Sequence, residues 1–312
     1  MAVAPRANPL DHFTAAQWQA LTTRSRWRGL WLVAHCWASI ALAMAAVARW
    51  PWLWPLGVML VGTRQLGLFI LMHDGAHALL HPSRRVNDWV ATWLCGPGLA
   101  AYRPYHLKHH RYVQQQEDPD LVLSAPFPIS RRSLWRKLSR DLSGQTFFKQ
   151  QFGSVRQRLQ QRPAGQPAWR AIGPALATQR RWIIAHGLGL AAFTLAGHPL
   201  LWVAMWLVPQ ACWLPLVSRL RNIAEHALVA QNGDDPLKQA RTTHAGWLER
   251  ALIAPYWVNY HSEHHLFTSL PCWQLPKAHA LLAAQGTTAR MELQPGYIAV
   301  LRLAASAAPQ PA

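Results

Sequence analysis

Acidic side chains are scarce in this chain of 312 residues: 13 Asp and Glu stand against 31 Lys and Arg, and charged residues of both signs make up only 14%. With 51% hydrophobic residues beside so little charge, an intrinsically disordered polymer is excluded. Cysteine is also rare. Cys36, Cys95, Cys212 and Cys272 lie far apart with no CxxC pair, which excludes a locally assembled iron–sulfur cluster or thiolate zinc site. Three of the four sit in apolar runs, where thiols are usually inert and buried. No haem or flavin motif is present either. The shortage of acid leaves a formal charge of +18, which suits nucleic acid or an anionic lipid surface. Apolar stretches of near-spanning length decide for lipid, so no nucleic-acid partner is expected.

Residues 1–28 carry Arg6, Arg24, Arg26 and Arg28 and no apolar run, so a cleavable signal peptide is not expected and this part reads as a cytosolic N-terminal segment. Four spans are expected after it, at 29–48, 52–72, 182–197 and 200–217, in two hairpins turning near Trp50-Pro51 and His198-Pro199. Arg64-Gln65 interrupts the second, and an Arg there must face other helices or water. The last two are short, and Pro209 and Pro215 imply kinks. Fifteen Lys and Arg fall between residues 103 and 181, against one in the two hairpin turns together. The positive-inside rule therefore places that loop and both termini in the cytoplasm, for a bacterial protein in the inner membrane. Residues 89–101 and 247–258 are too short to span and read as interfacial or re-entrant helices. From 134 to 162 a basic amphipathic helix is expected, broken near Gly144, either on the anionic leaflet or on the protein's own cap. The expected fold is all-α and integral to the membrane: a single domain over 29–303, with a cytosolic helical cap at 73–181 and 218–303, and a flexible tail at 304–312.

Histidine is what the chain has in excess, 16 residues in all. His73, His77 and His81 follow one another at i, i+4 steps, so a continuing helix would stack them on one face. His106-Leu-Lys-His109-His110 and His261-Ser-Glu-His264-His265 share the spacing HxxHH. At this histidine content one such triplet arises by chance with a probability of about 0.04, and two on the order of 0.001. Neutral imidazole favours Fe, Zn, Cu or Ni over Mg or Ca, and eight or more histidines exceed what one ion can hold, so two metals are the economical reading. Asp74, Asn222, Glu225 and Glu263 are cast as groups that orient ring N–H atoms from behind. His12, His35, His186, His198, His244 and His279 read as ordinary histidines.

Together, His73-Asp-Gly-Ala-His77, the second triplet with Glu117-Asp118-Pro119-Asp120, Arg221-Asn-Ile-Ala-Glu225-His226, and Tyr260-His261-Ser-Glu-His264-His265-Leu-Phe resemble the membrane fatty acid desaturases and hydroxylases with three histidine boxes. Thr242 to His279, with Trp247-Leu-Glu-Arg and Leu275-Pro-Lys, looks like the bacterial acyl-lipid desaturase-like branch. The resemblance runs from about Arg64 to His279. It implies four transmembrane helices under a cytosolic cap, a non-haem di-iron centre, and O2-dependent oxidation of an unactivated acyl C–H bond. It adds His226 to the eight histidines of the boxes as a ninth ligand. It does not require His81, which stays open as an alternative.

Redox-inert zinc cannot support that oxidation, whereas iron held by imidazole can. The reaction consumes O2 and two electrons, and nothing in the chain stores electrons. A separate ferredoxin, rubredoxin or cytochrome b5-like donor with its reductase is therefore implied, and Arg103, Lys108 and Arg111 beside the second box would suit an acidic donor. The alternative within the same fold is hydroxylation of an acyl lipid or other hydrocarbon. More distant readings are an intramembrane zinc protease, against which Asp74 stands where HExxH needs Glu, and a metal transporter, which would bury its ligands at mid-bilayer.

Overall fold

The computed structural model describes residues 3–307 except 97 and 232, so the end of the expected tail lies outside the described residues. The chain is mostly helical. Among the described residues, three segments are long and apolar enough to cross a membrane: Arg28–Arg49, Pro51–Ala76 and Pro199–His226. The first agrees with the expected 29–48 to within a residue at each end. The expected span at 182–197 forms a helix over Arg180–Leu195, 16 residues long. At about 1.5 Å per residue it covers roughly 24 Å, less than the ~30 Å of hydrocarbon.

The second long helix ends at Ala76 rather than at 72, because its last carbonyls find donors from elsewhere. Asn87, fully buried, donates through Nδ2 to Gly75 O at 2.9 Å, and Arg103 donates to Gly75 O and Ala76 O, each at 2.9 Å. Those bonds satisfy acceptors that a helix end leaves orphaned. Ala78 then turns left-handed, at φ 60, while the amides of Ala78 and Leu79 close back on Gly75 O and Asp74 O at 3.0 Å. This is a Schellman stop with Ala where Gly is usual. It removes His81 from the helical stripe expected through His73 and His77.

The last long helix is continuous from Pro199 to His226, with π-helical turns at Val203–Leu207 and Pro209–Trp213. Pro209 cannot donate an amide hydrogen, and the wider turn absorbs that defect without a break. Extension to His226 carries the helix nine positions past the expected end at 217.

Backbone contacts divide the chain into two compact units. One comprises the chain up to Ser39, Thr63–Trp135, and the chain from Val217 onward. In it the helix Ala15–Thr22 begins at a Thr14/Gln17 capping box. Phe13 and Trp18 pack on Phe267 with ring centroids 5.0 and 5.7 Å away, bracing the end of the helix His261–Leu266. Two short parallel strands, Arg241–Thr243 and Glu292–Gln294, lie in the same unit. The second HxxHH sits on the helix Leu99–Tyr112. Of the expected interfacial stretches, 89–101 forms a helix end and π turn up to Cys95, then restarts at Leu99. The stretch 247–258 forms Trp247–Leu252 and a 3-10 turn, Pro255–Trp257.

The other unit comprises Ile40–Gly62 and Arg136–Leu216. Its helices approach closely through small residues: a Cβ on Gly62 would come within 2.7 Å of Trp213 Cβ, and Trp54 Nε1 donates to Ala204 O at 3.1 Å. The basic amphipathic run breaks at Gly144 (φ 77) into Arg131–Leu142 and Gln145–Gln160. Ile184, Leu188, Leu195 and Leu200 are exposed, an apolar surface that suits hydrocarbon.

Candidate metal centre

Nine imidazoles converge in two groups within one unit. His73, His77, His106, His110 and His264 form the first, and His109, His226, His261 and His265 the second, with the ligand atoms of each group within 4.8 Å of one another. These are the nine positions named from the sequence. His81 lies outside both groups, half-buried, with its Nδ1 accepting from Ser83 N at 3.0 Å.

The grouping cuts across the sequence triplets. His106 and His110 enter the first group while His109, between them, enters the second; His261 and His265 enter the second while His264 enters the first. A helix turns about 100° per residue, so positions i and i+4 diverge little, whereas i+3 and i+4 are about 100° apart. A short helix lying between two sites therefore gives two rings to one and the middle ring to the other.

The nitrogens are too close to be satisfied by one another. His77, His106, His110 and His264 form a chain of Nε2 atoms separated by 2.9, 2.9 and 3.0 Å. Each neutral ring nitrogen offers one proton or one lone pair, so four in a row make at most two hydrogen bonds. His226, His261 and His265 repeat the pattern at 2.8 and 3.0 Å. His73 Nε2 is buried with no hydrogen-bond partner among the described residues. A cation among these lone pairs would satisfy all of them, which is the fit a metal needs. Burial, and then the neighbouring imidazoles, hold His106, His110, His261, His264 and His265 well below the usual histidine pKa. Burial and then Arg103 bring His77 down to about 4. These rings are neutral at pH 7, the form that binds metal.

The supporting groups differ from the expected set. Asp118 is the carboxylate that orients a ring: Oδ1 accepts from His109 Nδ1 at 2.8 Å, which turns Nε2 into the free lone pair. Asp118 Oδ2 accepts from Gln114 N at 2.9 Å. Its signal was present in the Glu117-Asp118-Pro119-Asp120 stretch, but no role was read from it. Glu225 accepts from Arg221 Nε at 2.9 Å, and the same oxygen lies 3.5 Å from His261 Nε2. Asp74 accepts from Cys272 N at 2.9 Å and stays 3.6 Å from His73 Nδ1. Glu263, fully buried, accepts from Thr242 Oγ1 and His279 Nδ1, both at 2.5 Å, and so braces the helix from behind. Asn222 bonds no cluster ring among the described residues.

Arg241 carried no sequence signal. It is 1% exposed and donates to Ala227 O at 2.8 Å and Leu228 O at 3.2 Å, capping the helix that carries His226. Arg103 also has a structural task beyond those carbonyls, an ion pair with Asp88 at 2.5 Å. Of the three cations first considered for donor docking, only Lys108 and Arg111 are exposed and unengaged by carboxylates among the described residues. An inner cavity lined by His73, Asp74, His261 and His264 has Ile70, Val258 and Leu275 among its apolar walls.

Residues 48–296 match the family model described as fatty acid desaturase. The chain is 26% identical over 285 residues to a dihydrorhizobitoxine desaturase of Bradyrhizobium elkanii, covering 84% of this chain and 74% of that protein. It is 24% identical over 269 residues to a chloroplastic omega-6 fatty acid desaturase of Arabidopsis thaliana, covering 77% of this chain and 56% of the plant protein. A beta-carotene ketolase of Paracoccus sp. (strain PC1) is 26% identical over 260 residues, 79% of this chain and 86% of the ketolase.

Proposed function

The chain belongs to the fatty acid desaturase family and is an oxidoreductase, and from that premise we propose that it inserts a double bond into a lipid acyl chain at a histidine-held di-iron centre, using O2. The observation that carries the proposal is the convergence of nine imidazoles into groups of five and four. His73, His77, His106, His110 and His264 hold one iron; His109, His226, His261 and His265 hold the other. Iron in such nitrogen-rich sites supplies the redox chemistry with O2 that breaking an unactivated C–H bond requires.

The chain's own side chains do the rest. Asp118 fixes the ring orientation of His109, and Arg241 and Arg103 hold the helix ends from which His226 and His73 project. Ile70, Val258 and Leu275 seat an acyl methylene beside His73 and His264 and keep water from it. Two electrons per turnover come from a separate ferredoxin, rubredoxin or cytochrome b5-like donor, for which exposed Lys108 and Arg111 offer the complementary charge.

We assign four spans in two hairpins, the helix Arg180–Leu195 being the short one, with the histidines and both termini on the cytoplasmic side of a bacterial inner membrane. Reporter fusions after Trp50 and His198 should read as external, and one after Arg132 as internal; an external reading after Arg132 would sink this topology.

The direct test of activity is acyl analysis of a host with and without the gene, backed by the purified protein with iron, O2 and an electron donor. New unsaturated acyl chains that require O2 are expected. The likeness to a ketolase favours one second reading, insertion of oxygen into a hydrocarbon at the same centre, which would show as oxygenated and not unsaturated product.

A further inference from the structure

Arg64 lies within Pro51–Ala76, a segment apolar enough to cross a membrane, where an ionised side chain is costly and marks a functional position. One guanidinium nitrogen donates to Ala251 O at 2.9 Å, and the guanidinium carbon sits 5.8 Å from the centre of the Tyr256 ring. No carboxylate pairs with it among the described residues. Arg64 opens on a cavity of about 350 Å³ shared with His35, Arg250, Trp31, Tyr256 and Trp257, and among the described residues no acidic side chain lines that cavity. Cations at one part of the wall and large aromatic rings at the rest suit an amphiphile with an anionic head.

Tyr256 lines the inner cavity as well, beside His73 and His264. Its ring is thus a wall common to both spaces. The hydroxyl is hydrogen-bonded to His35 Nδ1 at 3.1 Å, and the ring edge lies so close to Gly67 that a Cβ there would come within 2.7 Å of Cε2. Tyr256 and Trp257 both take positive φ, 54 and 57, a conformation that bulky residues hold only where their surroundings impose it. From Arg64 to His73 the helix rises roughly 13 Å, at about 1.5 Å per residue.

We propose that the outer cavity binds the carboxylate or phosphate head of a single-chain lipid between Arg64 and Arg250, and that the Tyr256 ring is the partition its chain displaces to reach His73 and His264. Held this way, the lipid presents to the histidines a carbon set by its distance from the head. The proposal rests on the acyl-substrate reading above, and its readouts do not need the reaction to run.

The detergent-purified full chain is titrated with radiolabelled oleate, 1-oleoyl-lysophosphatidate and methyl oleate. The anions should bind at least about tenfold more tightly than the ester, and the tighter of the two identifies the head. Arg64→Gln should remove that preference without weakening ester binding, and Arg250→Gln, at an exposed position, should reduce it. Equal binding of ester and anions by the wild type, or an undiminished preference in both variants, overturns the head site. For the partition, Tyr256→Ala should speed N-ethylmaleimide modification of Cys272, a buried wall of the inner cavity, by about tenfold or more, read by peptide mass. Unchanged labelling of Cys272 in a variant that still binds oleate overturns it. If both results hold and no acyl product forms, the site stands and the assigned reaction is the part that fails.

Discussion

Asp118 stands 2.8 Å behind His109, and Glu225 lies 3.5 Å from His261. Among the described residues no carboxylate hydrogen-bonds a ring of the five-ring group from behind as Asp118 does; the nearest, Asp74, keeps 3.6 Å from His73 Nδ1 and takes the Cys272 amide instead. One ring of the four-ring group is thus oriented from behind by a carboxylate, Asp118, which also raises the basicity of the ring nitrogen it leaves free, whereas Glu225 meets the inward-facing Nε2 of His261. The five-ring group relies on one more ring and on packing, and it supplies two of the three histidines at the inner cavity. The difference separates two tasks: one group is anchored from behind, while the other faces the space where an acyl chain would be presented.

The largest effects should ignore this difference. Replacing His264 of the five-ring group or His109 of the four-ring group by Ala should lower product by more than about a hundredfold, with far-UV circular dichroism little changed. Metal analysis of the same preparations should show iron falling in both. Full activity in a zinc-loaded, iron-free preparation would contradict the chemistry assigned to either group. His226→Ala should lose iron as severely as His264→Ala while His81→Ala retains it; the reverse pattern would place the ninth ring at His81.

The next effect should expose the difference. Asp118→Asn is expected to cost roughly ten- to a hundredfold in iron affinity, a typical loss when a carboxylate behind a ligand ring is removed. Asp74→Asn should cost much less, because its oxygen serves the Cys272 backbone amide. Equal losses by chelator competition would erase the distinction between the groups. Smallest of all, His244→Ala, an exposed ring outside both groups, should change iron content and activity by less than about twofold.

Much of the site was legible because histidine is rarely repeated at HxxHH spacing by chance, and that spacing places rings toward one side of a helix. His226 had no such spacing around it and entered through resemblance to a family. His81 looked equivalent to His73 and His77 only while the helix was assumed to continue; the left-handed turn at Ala78 ends it, held by Asn87 and Arg103 from later in the chain. The supports were the least readable part. Asp118 was visible as one acid among several, and Arg241 as an unremarked cation. A side chain's value as a cap depends on which carbonyl it meets, and that meeting is made by residues distant in sequence.

Composition and hydropathy by themselves determined that this chain carries membrane-length helices and that neutral imidazole, not thiolate or carboxylate, is its abundant ligand. Those properties are local sums, written residue by residue. Only the tertiary structure decided that the boxes do not act as boxes. It sent His109 and His264 each away from its own triplet, and it placed the strained Tyr256 between the cavity beside the histidines and the outer one that Arg64 lines. A helix fixes the angle between its own side chains, but which angle meets which partner is settled by where the other helices stand.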